Sequence, residues 1–261
     1  MPTYRLLVEY EGTKFAGWQA QASGRTVQGV LLEVLRGLTG ERGIDLQGAG
    51  RTDAGVHALG QVASLRCRGT LDPGGVLRSL ERELPADLAV LDLRRAPRGF
   101  HARHDATGRA YRYQIATRRS AFGKRSSWWV PEELDLAAMQ QAASAFAGRH
   151  DFRAFARRPR EAESTIVEVE TCVVAATLGC VLARVVASHF VWNQVRRMVG
   201  ALVTVGRGEA RPADVDAWLS GSRPPPLTAP AAGLFLEAVR YGEEPFVLPP
   251  LVPVGLPPRF R

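Results

Sequence analysis

Gly48-Ala49-Gly50-Arg51-Thr52-Asp53-Ala54-Gly55-Val56-His57-Ala58-Leu59-Gly60 sets an arginine, a threonine and a carboxylate among small residues. Glycine permits turns and close approaches that a Cβ forbids. Arg51, Thr52 and Asp53 are therefore expected on a tight, bare loop that a large partner can approach. Gln61 to Arg66 alternates apolar and polar residues and reads as a half-buried strand. A carboxylate on a loop held by a strand suits catalysis, because sites often ride on loops fixed by a rigid scaffold.

Three other readings compete from spacing alone. Gly48-x-Gly50 could open a dinucleotide-binding turn, but position 53 then has Asp where the third glycine belongs. Asp53 and His57 could share a metal on one helix face; the glycines oppose a helix, and no third ligand is near in sequence. Arg51 and Asp53 could simply pair to hold a turn, as structural ion pairs often do.

Outward from the loop, the first hundred residues alternate strand and helix. Thr3 to Tyr10 reads as a strand ending in a turn at Glu11-Gly12-Thr13. Thr26 reads as an N-cap ahead of Val27, Val30, Leu31, Val34, Leu35 and Leu38 at helical spacing, closed by Gly40. A short helix follows Asp72-Pro73, and Leu88 to Leu93 is a strand. The order strand–helix–strand–helix–strand fits an α+β layer with helices on one sheet face.

Beyond it, Gly99-Phe100-His101-Ala102-Arg103-His104 is a surface loop or a basic wall for RNA. Arg109 to Ile115 alternates as a strand, with Tyr111, Tyr113 and Ile115 on one face and Arg112 on the other. Such an aromatic face can stack an unpaired base or face a core. Ala121 to Val130 reads as a loop carrying Lys124 and Arg125. A helix is expected over Leu134 to Phe146. Arg149, Arg157, Arg158 and Arg160 lie in a polar, charged stretch expected to be mostly solvated loop. Thr165 to Ala176 and Cys180 to Ala187 read as a hairpin, and Ala213 to Leu219 as a short helix.

A helix is expected from Phe190 to Val205, with Val191, Val195, Met198 and Leu202 as its core stripe. Arg196 falls in an adjoining stripe with Trp192, Val199 and Val203. A half-buried guanidinium wants an anion: Asp53, a phosphate, or an ordinary carboxylate. Ala229 to Tyr241 ends in a strand, and the tail from Pro245 is expected to lie extended on the surface.

Of 261 residues, 46% are apolar and 23% charged, ordinary for a chain that buries a core. The net charge of +8 favours a polyanionic partner. Nearly all of it is arginine; Lys14 and Lys124 are the two lysines. Cys67, Cys172 and Cys180 lack metal or disulfide spacing and read as reduced core or strand residues of a cytoplasmic protein. The amino-terminal residues have no signal-peptide layout, and no apolar run is long enough to span a bilayer.

Arg51-Thr52-Asp53-Ala54-Gly55-Val56-His57-Ala58-x-Gly60-Gln61-Val62 resembles the signature of the tRNA pseudouridine synthase A family. Tyr10-x-Gly12-Thr13-x-Phe15-x-Gly17-Trp18-Gln19, Phe100-His101-Ala102-Arg103, Tyr111-x-Tyr113, His150-Asp151-Phe152 and Val195-Arg196-x-x-Val199-Gly200 resemble its further motifs in the same order. The resemblance covers roughly residues 3 to 241. Glu11 replaces a common Asp, Val191 and Trp192 depart from the usual wording, and Ile166 and Val167 stand where an arginine is usual.

The resemblance implies a pseudouridine synthase fold: two ferredoxin-like halves, joined into a mixed, mostly antiparallel sheet with helices on one face and a basic cleft between them. Residues 1–105 would form the half with the Asp loop, 106–245 the half with the Tyr strand and Arg helix, and 246–261 a Pro-rich tail. It implies an isomerase making pseudouridine at positions 38, 39 and 40 of the tRNA anticodon stem-loop, as a homodimer, with no metal or other cofactor. Asp53 would be the essential aspartate, Tyr111 would stack on the flipped base, and Arg196 would be the active-site arginine. Arg51, Phe100, His101 and Arg103 would contact RNA. The rival readings are a non-catalytic RNA-binding protein and a nucleic-acid glycosylase; the latter would be expected to use two carboxylates, and one stands out here.

Overall fold

The computed structural model describes residues 1–157, 164–177, 179–243, 246 and 248–256. The chain divides into two compact units, Met1–Thr107 with Phe235–Phe246 and Gly108–Leu234 with Val247–Arg261.

The first unit contains β1 (Thr3–Tyr10), α1 (Val27–Thr39), β2 (Asp45–Gly48), β3 (His57–Arg66), α2 (Pro73–Glu83) and β4 (Leu88–Arg95). β1 pairs antiparallel with both β3 and β4, and β2 pairs antiparallel with β3. The spatial order β4-β1-β3-β2 with βαββαβ connectivity is the ferredoxin-like plan. Alternation buries Tyr4, Leu6, Val8 and Tyr10 on one face of β1. Thr26 caps α1 by accepting from the Gly29 N–H at 3.2 Å, and Gly40 ends it in the left-handed region at φ 67°. Asp72 caps α2 through the N–H groups of Gly74 and Gly75.

The last strand, β10 (Leu234–Tyr241), also pairs here. It runs parallel to β3, with Phe235 opposite His57 and Leu236 opposite Ala58. Arg25 forks onto Asp87 at 2.8 and 2.6 Å, tying the link before α1 to the start of β4. The guanidinium holds the Asp87 carboxyl below its usual range.

The second unit contains β5 (Ala106–Ala116), β6 (Trp128–Trp129), α3 (Leu136–Ala145), β7 (Gly148–Asp151), β8 (Ile166–Thr177), β9 (Cys180–Ala187), α4 (Gln194–Gly206) and α5 (Asp214–Leu219). Its strands run β5-β9-β8-β7, all antiparallel, and β6 adds to β5 in parallel at Ile115–Trp128 and Ala116–Trp129. The α+β class with mixed, mostly antiparallel pairing therefore holds in both units. α3 packs on β8 and on α4.

Several sequence expectations shift. β6 interrupts the expected loop of 121–130. Gly148–Asp151 is an edge strand on β8. Residues 190–193 precede α4 instead of opening it, because Asn193 sits in the left-handed region at φ 69°. Val191 and Trp192 thus fall outside the helical stripe, and Trp192 is exposed, with the Arg157 guanidinium 4.8 Å over its ring.

Arg112, read as lying on the face opposite Tyr113, is nonetheless fully buried. The tail covers it: Arg112 Nη1 donates to the Val252 carbonyl at 2.7 Å. Gln114 Nε2 donates to Val254 O at 3.0 Å, and Arg184 to Pro249 O at 2.7 Å. The described tail residues are thus a hydrogen-bonded strap.

All three cysteines are buried and free; burial pushes the thiols of Cys172 and Cys180 up to about 12. Arg158 and Arg160 lie outside the described residues.

Candidate active site

Asp53 sits half-buried on the connection from β2 to β3, in a turn closed by the Val56 N–H donating to the Asp53 carbonyl at 3.2 Å. Gly55 takes φ 77° within that turn, as only glycine does readily. No helix follows Gly48, which removes the dinucleotide-turn reading. No ion pair joins exposed Arg51 to Asp53.

The loop is held from behind by the corner after β1. Trp18 N–H donates to the Thr52 carbonyl at 3.1 Å, and Gly55 N–H to the Phe15 carbonyl at 3.3 Å. The Thr52 hydroxyl and the Tyr10 hydroxyl share a buried hydrogen bond of 2.8 Å. Buried Gln61 reaches forward from β3 and donates to the Gly50 carbonyl at 2.8 Å. The corner glycines make this contact possible. A Cβ on Gly12 would lie 2.0 Å from the Val56 oxygen, and one on Gly48 2.5 Å from the Trp18 ring. Trp18 is therefore a core residue that backs the loop, as its burial shows.

His57, where β3 begins, accepts the Gly12 N–H on Nδ1 at 2.9 Å and stacks on Phe235 at 4.6 Å. An Nδ1 that accepts carries no proton, so the Glu11 carboxylate 3.5 Å away faces a neutral ring. Asp53 lies in a turn and His57 opens β3, so the two do not share the helix face that the metal reading needs. Sequence reasoning placed Thr52 on the loop but gave Tyr10, Gln61 and Phe235 no part in holding it; the glycine-rich corner was the available signal.

The Phe100-to-Arg103 loop lies in the same unit. Ala102 is buried, its N–H on the Ser64 hydroxyl at 3.2 Å and its carbonyl accepting from Tyr241 at 2.7 Å. Phe100 packs on Tyr241 with centroids 5.1 Å apart. His101 accepts the N–H of Arg103 on Nδ1 at 3.2 Å, and burial together with nearby His104 and Arg66 lowers its pKa. Arg103 is exposed.

In the second unit, Tyr111 lies on β5 with its ring edge-on to Phe190, centroids 5.0 Å apart. Tyr113 is fully buried, donates to the Pro230 carbonyl at 2.7 Å and has its pKa raised by burial. The two tyrosines thus divide: Tyr113 is structural, and Tyr111 is the less buried ring.

Arg196 stands in the first turn of α4. Its Nε donates to the Ala229 carbonyl at 2.7 Å, while its own carbonyl accepts the Ala229 N–H at 3.0 Å. Nη1 reaches Asn193 Oδ1 at 3.4 Å. Arg197 beside it donates to the carbonyls of Ala154 and Ala156. Cations in a first turn oppose the helix dipole; here both guanidiniums donate to backbone carbonyls of neighbouring segments.

The family described as "tRNA pseudouridine synthase" matches residues 6–105 and 142–242. A "tRNA pseudouridine synthase A" of Syntrophotalea carbinolica is 42% identical over 248 residues, covering 94% of this chain and 98% of its own. One of Pelobacter propionicus is 42% identical over 246 residues, covering 92% of this chain and 100% of its own. Among solved structures, "Crystal Structure of a Cbf5-Nop10-Gar1 Complex" is similar over 76% of this chain and 54% of that one, at 13% identity and TM-score 0.32; that distance is too great for comparison of residues. With the matched segments spanning both units, the chain belongs to the tRNA pseudouridine synthase family.

Proposed function

We propose that this chain converts uridines 38, 39 and 40 of the tRNA anticodon stem-loop to pseudouridine, with Asp53 as the essential carboxylate. Membership of the family makes it an isomerase acting in tRNA modification. The observation that carries the assignment to Asp53 is its support. The carboxylate rides a turn whose backbone is clamped by Trp18, Phe15 and Gln61, close against glycines that admit no Cβ.

The chemistry sets several demands. The target base must leave its stack, at a cost of a few kcal/mol. Tyr111 offsets part of this by stacking, its ring braced by Phe190. Breaking the N-glycosidic bond builds positive charge at the sugar, which a carboxylate can stabilise or trap covalently. The uracil then rotates and rejoins through C5, and the C5 proton leaves. Arg196 supplies positive charge that receives a phosphate of the RNA. Arg51, Phe100, His101 and Arg103 contact RNA from the first unit. The protein works as a cytoplasmic homodimer, and its net charge of +8 suits its substrate.

The test is tritium release from tRNA transcripts labelled at uridine C5. Release without free uracil supports isomerisation; free uracil would establish the glycosylase reading, and bound RNA with no release the binding-protein reading. The stacking role of Tyr111 has its own outcome. Tyr111→Phe keeps turnover within about threefold, because the π-face is retained. Tyr111→Ala loses about 1–3 kcal/mol of stacking, a fall of roughly 5- to 150-fold in kcat/KM. Equal loss in both variants would assign the work to the hydroxyl.

A further inference from the structure

Between β5 and the end of β6 the chain reads Thr117-Arg118-Arg119-Ser120-Ala121-Phe122-Gly123-Lys124-Arg125-Ser126-Ser127-Trp128-Trp129. It holds four cations, three aromatics and no acidic residue. Phe122 is 83% exposed and Trp129 46% exposed, and the Arg119 guanidinium lies 5.8 Å from the Trp129 centroid. No carboxylate among the described residues pairs with Lys124 or Arg125.

Scattered exposed apolar residues are ordinary, but this one sits on a braced turn. The Ser120 hydroxyl accepts the Gly123 N–H at 3.1 Å, and the Ser127 hydroxyl donates to the Gly123 carbonyl at 2.7 Å. The Ser126 carbonyl accepts from Gln114 Nε2 at 2.6 Å, the amide that also holds Val254 of the tail. Leu256 packs so closely on Gly123 that a Cβ there would lie 2.1 Å from its Cδ2. The strap therefore fixes the turn while the Phe122 ring projects outward.

Cations set among exposed aromatic rings, on a rigid support, match what a nucleic-acid strand presents: phosphates and base faces. An acidic protein surface would not call for the projecting rings. β6 joins β5 at Ile115 and Ala116. Those positions lie about 13–17 Å along β5 from Tyr111 at 3.3 Å per residue, away from the base stacked there.

We propose that Phe122, Lys124 and Arg125, with Arg119 and Trp129, form a second RNA contact that grips the tRNA substrate away from the target uridine. This rests on the tRNA-modifying reading above.

The test uses the full chain and unmodified tRNA transcript, comparing wild type with F122A/K124A/R125A. All three positions are exposed except for the braced backbone between them, and F122W/K124R/R125K controls for the turn. The triple alanine variant should raise Kd and KM for tRNA at least about tenfold, with kcat at saturation unchanged. The slope of log affinity against log salt should fall by roughly 0.7–0.9 per lost phosphate contact. The conservative variant should restore both. Unchanged Kd and salt slope, or a changed oligomeric state with unchanged RNA affinity, overturns the proposal. Wild-type tritium release would leave the activity standing in either case.

Discussion

Replacing Asp53 with asparagine is expected to abolish pseudouridine formation, by on the order of 10⁴-fold or more in single-turnover rate, while tRNA affinity stays within about threefold. The expectation follows from where the support lies. The turn is held by backbone groups of residues 50, 52, 53 and 55 and by the Thr52 hydroxyl, and the change alters none of these groups. Asp53→Glu keeps the charge but moves it by one methylene; misplacement by about 1 Å costs on the order of 10²-fold. The ordering Asp, Glu, Asn, from fastest to slowest, is the signature of a positioned carboxylate. Pseudouridine made by Asp53→Asn at more than a hundredth of the wild-type rate would show that the essential group lies elsewhere.

The second large effect is expected at Gly12, which has no side chain to touch substrate. An added methyl would lie 2.0 Å from the Val56 oxygen and 2.5 Å from its carbonyl carbon, and neither atom is a flexible side chain. Gly12 also donates to His57 Nδ1, so relaxation must move the corner, the start of β3 or both. Overpacking of this kind costs about 3 kcal/mol, a drop of roughly 6–12 °C in melting temperature for a chain of this size. Val56 closes the turn on Asp53, so kcat should fall about 10²-fold in the folded variant. Gly37→Ala is the matched control. It lies within α1 with nothing within 4 Å of its added methyl, and should stabilise by about 0.5–1 kcal/mol. Thermal melts and single-turnover rates on both proteins decide it; a Gly12→Ala variant melting with the wild type would refute the close approach.

How far the sequence reveals this structure depends on the range of the interaction involved. β1 and β9 occupy the stretches expected from sequence, because alternation along a strand is local. The cap at Thr26 and the left-handed Gly40 are equally local. β2 and β6 are too short and too irregular in pattern to read before a partner strand is known. The start of α4 is displaced by Asn193, a residue that tolerates positive φ but does not announce it. The glycines around Asp53 mark a bare loop in the sequence itself. That Gly12 and Gly48 are the surfaces pressed against it depends on residues tens of positions away. The burial of Arg112 is the clearest limit, since a tail 140 residues downstream produces it.

The placement of β10 carries a consequence for biosynthesis. His57 begins the strand that leaves the Asp53 loop, and its stacking partner Phe235 arrives only after about 180 more residues have been made. Ribosome-bound chains that have already completed β1 through β4 therefore still lack the ring beneath that strand. The nascent amino-terminal unit is set to emerge with an unfinished sheet and a loosely held carboxylate loop. Maturation of the loop then waits for the final strand, so an arrested chain ending before residue 235 should neither protect the amides around Val56 and His57 from exchange nor modify RNA.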